Sequence, residues 1–89
     1  MPTIWIAQLR ISQATSAKLR NRHGLSPRDV SESLICRAGL PFAWDYHHER
    51  GKRAIVRVRL GDQNVLCVLY PLGDGIWNLG SAYPERRQR

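Results

Sequence analysis

Carboxylates are scarce in this chain, and none occurs before Asp29. Seven Asp and Glu stand against fourteen Lys and Arg, giving a formal net charge of +7. Lysine is nearly absent too: twelve of the basic residues are Arg, and Lys18 and Lys52 are the remaining two. Lysine would serve solubility alone, whereas the planar arginine fork matches phosphate and carboxylate geometry. Two cysteines, Cys36 and Cys67, are too few for a disulfide framework and read as small core residues in a reducing cytosol. The longest apolar run, Val65 to Leu69, is far too short to cross a bilayer. The start Met1-Pro2-Thr3 lacks the charged region and apolar run of a secretory signal. The expectation is therefore a cytoplasmic protein that does not engage a membrane. With five Pro and 43% apolar residues, disorder is not expected either.

Eighty-nine residues suffice for one core. The reading is a single α+β domain over residues 1–84 with a basic tail at 85–89. Ile4 to Ile11 suggests a first strand. Ser12 can cap a helix through Ala14, Ala17, Leu19 and Arg22, which Gly24 ends. Ser26-Pro27-Arg28-Asp29 is a stronger start signal: a capping hydroxyl, Pro at the first helical position and a carboxylate in the first turn. Val30, Leu34 and Ala38 follow at helical spacing, up to Gly39.

From Leu40 the period becomes two. Leu40 to Trp44 reads as a short strand and Asp45 to Lys52 as a polar loop. Arg53 to Leu60 alternates, with Ala54, Val56, Val58 and Leu60 on one face and Arg53, Ile55, Arg57 and Arg59 on the other. Turns at 61–64 and 71–75 bound an apolar strand, Val65 to Tyr70, and a last strand runs from Ile76 to Tyr83. The predicted fold class is α+β, with two N-terminal helices packed on a small antiparallel β-sheet.

The arginine face of the Arg53–Leu60 strand is the leading functional candidate. Alternate positions on a strand lie about 7 Å apart. A row of guanidinium groups at that spacing repels itself unless an anion lies across it. Lys18, Arg20 and Arg22 on the first helix, Arg50 and Lys52 beside the strand, and Arg86 and Arg87 in the tail extend the basic set. Interleaved aromatics, among them Trp44, Tyr46, Tyr70, Trp77 and Tyr83, suit stacking of single-stranded RNA bases. Asp45, His47, His48 and Glu49 lack the spacing of a metal site but could serve acid–base chemistry. No phosphate-cradling glycine loop or nucleophile elbow is present. No metal, and no cofactor of any other kind, is expected.

The stretch Lys18-Leu19-Arg20-Asn21-Arg22-His23-Gly24-Leu25-Ser26 resembles the helix-to-helix entry of BrnT-type toxins, within the wider RelE/ParE-like group. Later segments are similar as well: Glu49-Arg50-Gly51-Lys52-Arg53 opening a strand, Val65 to Tyr70, and Ser81-Ala82-Tyr83 followed by basic residues. At Tyr83 that family usually carries Arg. The resemblance implies a bacterial toxin-like ribonuclease that works without metal and is neutralised by an antitoxin protein. Its expected catalytic residues are Arg53, Arg57, Tyr83 and His48, with Lys18, Arg20, Arg22, Arg50, Lys52, Arg59, Arg86 and Arg87 binding RNA. The alternatives are a non-enzymatic module that binds nucleic acid or an acidic protein, and a gyrase-directed toxin.

Overall fold

The computed structural model of the protein describes residues 3–85. Two helices and six strands follow the order β1 (Thr3–Ile4), β2 (Gln8–Arg10), α1 (Gln13–His23), α2 (Pro27–Leu34), β3 (Leu40–His47), β4 (Gly51–Leu60), β5 (Gln63–Gly73) and β6 (Ile76–Pro84). The sheet order is β1-β3-β4-β5-β6-β2, antiparallel throughout except where β2 runs parallel to β6.

This corrects the predicted fold class. The sheet is not a small antiparallel platform under two helices but a curled, mixed, six-stranded half-barrel holding most of the described residues. The helices are short, 11 and 8 residues. Strand β3 extends through Asp45 to His47, so what read as a loop is mostly hairpin, paired Asp45 with Arg53 and Tyr46 with Lys52. Polar residues on an outward strand face carry no apolar alternation, which is why they resemble a loop.

The caps behave as their chemistry dictates. Ser12 Oγ accepts from Thr15 N–H, and Ser26 Oγ accepts from Asp29 N–H. Gly24 closes α1 at φ 62°, in the left-handed region that glycine enters without strain. Helix α2, by contrast, stops at Leu34 instead of continuing to Ala38. Cys36 leaves the helix at φ 54° and donates its N–H to Ile6 O at 2.9 Å. A tertiary hydrogen bond overrides helix propensity there.

The expected first strand is broken into two pieces for a topological reason. The segment Thr3–Arg10 leaves the β3 edge of the meander and reaches the β6 edge, a strap joining both sides of the sheet. Between the two pieces Ile6 is fully buried. Ala7 and Gln8 N–H both donate to Gly75 O, at 2.8 and 3.2 Å. Beneath the strap, Leu19 of α1 and Val30 and Leu34 of α2 pack on Ala54, Val56, Leu69 and Leu79 of the sheet. Cys67 lies in this core, where desolvation pushes its thiol up to about 12. Among the described residues no helix is long and apolar enough to cross a membrane.

Candidate functional site

Strand β4 divides as its alternation predicts. Ala54, Val56 and Val58 are buried, and Arg53, Arg57 and Arg59 lie on the opposite face. The arginines are not left facing one another. Arg53 grips Asp45 Oδ2 with Nε at 2.8 Å and Nη2 at 2.7 Å, and its Nη1 donates to Tyr70 Oη at 3.5 Å. Arg57 Nη2 meets Glu85 Oε2 at 2.6 Å, and Arg59 Nε donates to Gly61 O at 3.2 Å. The mutual repulsion anticipated for the row is thus offset within the chain by two carboxylates and a carbonyl.

Residues from both ends of the sequence converge around Arg53. Lys18 of α1, His47 at the end of β3, Arg50 in the following turn, Tyr70 of β5, and Ser81 and Tyr83 of β6 line a cavity of about 310 Å³ with it. Among the described residues no carboxylate lines this cavity. Among the described residues, neither Lys18 nor Arg50 is ion-paired. Three cations therefore face a common space with Asp45 behind one of them, which suits an anion of more than one negative charge.

The cavity is held by contacts that fix its cations. Arg50 lies over the Tyr70 ring, 4.0 Å from its centroid. The ring fits there because β6 carries an extra residue: Val68 pairs with Ser81 and Leu69 with Leu79, leaving Gly80 as a bulge. A Cβ at Gly80 would collide with Tyr70 Cε2 and stand 3.5 Å from Arg50 Nη1. His47 Nδ1 accepts from both Glu49 and Arg50 N–H at 3.2 Å, tying down the turn that carries Arg50. In the neutral ring this leaves the proton on Nε2 as a donor.

The Arg53 pair shifts both members. The hydrogen bond from Arg53, followed by one from the Tyr46 backbone, holds the Asp45 carboxyl below its ordinary 3.8. Hydrogen bonds to Tyr70 and then to Asp45 raise Arg53 above its ordinary value. For Asp45 the folded value lies below the unfolded one, so the pair's stabilisation is complete above 3.8 and is lost as pH falls through the lowered value. A thermal-melt series in acid should show Tm falling less steeply for Asp45→Asn than for the parent chain. Parallel curves would exclude this linkage.

The other predicted residues are dispersed. His48 lies outside the cavity, stacked on His47 at 4.8 Å with Nε2 3.5 Å from the Glu49 carboxylate. Arg22 lines a second cavity, and Arg57 borders it through Glu85. Arg20 lies on the exposed surface of α1. Arg59 lines a depression beside α2 that also contains Asp29 and Glu32. Lys52 is on the opposite sheet face, 3.9 Å from the Trp44 ring centroid. Arg86 and Arg87 lie outside the described residues. Of the residues that matter here, Tyr70 and Gly80 were not singled out as site residues. The outward alternation of Leu66, Val68 and Tyr70 is the signal that places Tyr70 beside the arginines.

Among the described residues no three His, Cys, Asp or Glu side chains group as a metal site. No family model, curated protein or solved structure matches the chain, so the BrnT-type resemblance rests on its short motifs alone.

Proposed function

We propose that the protein is a toxin-like ribonuclease that binds RNA over its arginine-bearing sheet face and cleaves it at the Lys18/Arg50/Arg53 cavity. The observation that carries this reading is the convergence of three cations and two phenols, with no carboxylate among the lining residues, in a space of about 310 Å³. A phosphodiester whose own 2′-OH attacks phosphorus needs little more than alignment and positive charge. Nucleophile and phosphorus share one molecule, so positioning supplies much of the rate. The guanidinium groups of Arg50 and Arg53 oppose the charge that builds on the non-bridging oxygens.

In this scheme the 2′ oxygen forms a bond to phosphorus as the bond to the 5′ oxygen breaks. Tyr83 Oη takes the 2′-OH proton, and Lys18 gives a proton to the departing 5′ oxygen. The products are a 2′,3′-cyclic phosphate and a 5′-hydroxyl end. Tyr83 is favoured over His48 as base because it lines the cavity and His48 does not. An antitoxin protein would silence the site by covering this cationic surface with acidic groups. The cytoplasm is the compartment consistent with an RNA substrate and two free thiols.

The purified chain, incubated with single-stranded RNA in the presence of a chelator, should yield fragments with cyclic-phosphate ends. RNA that is bound with a steep salt dependence yet stays intact would return the non-enzymatic binding module instead.

A further inference from the structure

Adjoining the cationic cavity is a second one of about 470 Å³, lined by Arg22, His23, Leu66, Tyr83, Pro84 and Glu85. Tyr83 belongs to both. We propose that this second cavity is a guanine-binding subsite, seating the base next to the phosphate held by Lys18, Arg50 and Arg53; it rests on the RNA-cleaving reading for its place in the reaction.

The walls supply the two things a base requires. Leu66, Pro84 and the Tyr83 ring present apolar surface, and the His23 ring stands 6.4 Å from the Tyr83 ring, tilted by 46°. A planar base stacks on such a surface whatever its identity. Selection comes from Glu85. Its backbone is fixed by a 2.8 Å bond from its N–H to Asn64 O, and Arg57 holds Oε2 at 2.6 Å. Oε1 has no partner among the described residues. An ionised carboxylate only accepts hydrogen bonds. Guanine presents N1–H and the N2 amine side by side on its Watson–Crick edge. Adenine and cytosine each offer one amine, and the single N–H of uracil is flanked by carbonyl oxygens that a carboxylate repels. On the other edge of guanine, O6 and N7 are the acceptors that an arginine fork matches, and Arg22 lines the same cavity. A carboxylate edge, whose Oε2 keeps a lone pair beside the Arg57 bond, and a guanidinium fork thus oppose a base that carries two adjacent donors and two adjacent acceptors.

The test titrates 3′-GMP, 3′-AMP, 3′-CMP and 3′-UMP into the intact chain while following the Leu66 methyl and Tyr83 ring resonances. 3′-GMP should bind about tenfold or more tightly than the others, and Glu85→Gln should erase the preference while leaving the remaining resonances in place. 3′-IMP, which lacks the N2 amine, should fall between. Equal affinities for all four nucleotides, or a preference that survives Glu85→Gln, would overturn the subsite. RNA cleaved without regard to guanine would overturn it while leaving the ribonuclease reading intact. Guanine-selective binding by a chain that leaves RNA uncut would do the reverse.

Discussion

Arg53→Ala should lower RNA cleavage by about 10²–10³-fold, the effect of deleting one donor aimed at developing negative charge. Arg53 is the arginine that combines a place in the cavity with a fixed geometry, held by Asp45 on one side and Tyr70 on the other. Because it is already oriented, little reorganisation is needed when charge builds on the phosphate. Arg53→Lys should recover only part of the loss, since an ammonium keeps the charge but lacks the planar fork that bonds Asp45 through two nitrogens while a third reaches Tyr70. Arg59→Ala supplies the contrast. Its guanidinium is bonded to Gly61 O and does not line the cavity, so the cleavage rate should fall far less. Single-turnover cleavage of one RNA by the three variants, each with an unchanged circular dichroism spectrum, decides the matter. Equal losses for Arg53→Ala and Arg59→Ala would mean that the whole stripe acts as a diffuse binding face and that the cavity has no special part.

Ile6→Ala should cost about 2–5 kcal/mol of folding stability, the range for truncating a buried aliphatic side chain. A domain of this size holds only about 5–15 kcal/mol in all, so much of the population could unfold near body temperature. Ile6 is fully buried, and the backbone on either side of it is bonded to different parts of the molecule. Its own carbonyl anchors Cys36 beyond α2, and the next two amides anchor Gly75 in the last hairpin. Loosening the side chain therefore slackens the helical layer and the β6 edge together. Urea titration should show the midpoint falling well below that of Ile4→Ala, where the side chain is only partly buried. A cost under about 1 kcal/mol would place Ile6 among ordinary surface positions and remove the strap's structural role.

What could be read beforehand follows from the range of the forces involved. Caps act within one turn, so Ser12, Ser26 and Gly24 were legible. Alternation acts within one strand, so the two faces of β4 were legible as well. The strap was not, because strands of two and three residues have no period to detect, and their partners stand about forty to seventy residues away. The end of α2 at Leu34 depended on a bond to Ile6 that no local pattern encodes. Asp45 and His47 looked like loop because their outward positions are polar, although the register that pairs Asp45 with Arg53 follows once β3 is extended.

The candidate site divides in the same way. The charges and the aromatic residues were legible one by one, including Lys18, Arg50, Arg53 and Tyr83. Their convergence was not, because it depends on α1 flanking β6 and on the one-residue offset at Gly80. His47 and His48 are neighbours in sequence with equivalent chemistry, and only the turn, which bonds to Nδ1 of His47, separates one from the other.

The strap also sets a timetable for synthesis. Residues 3–10 leave the ribosome well before residues 76–78, the partners that β2 needs. The hairpins of β3, β4, β5 and β6 join neighbours in sequence and can form as they emerge, whereas the strap waits on a distant closure. Until β6 appears, Ile6 and the apolar undersides of both helices have only part of their final cover. A growing chain is thus most open to proteases and chaperones until β6 is translated, and the cavity around Arg53, which needs Ser81 and Tyr83, is completed only with that strand.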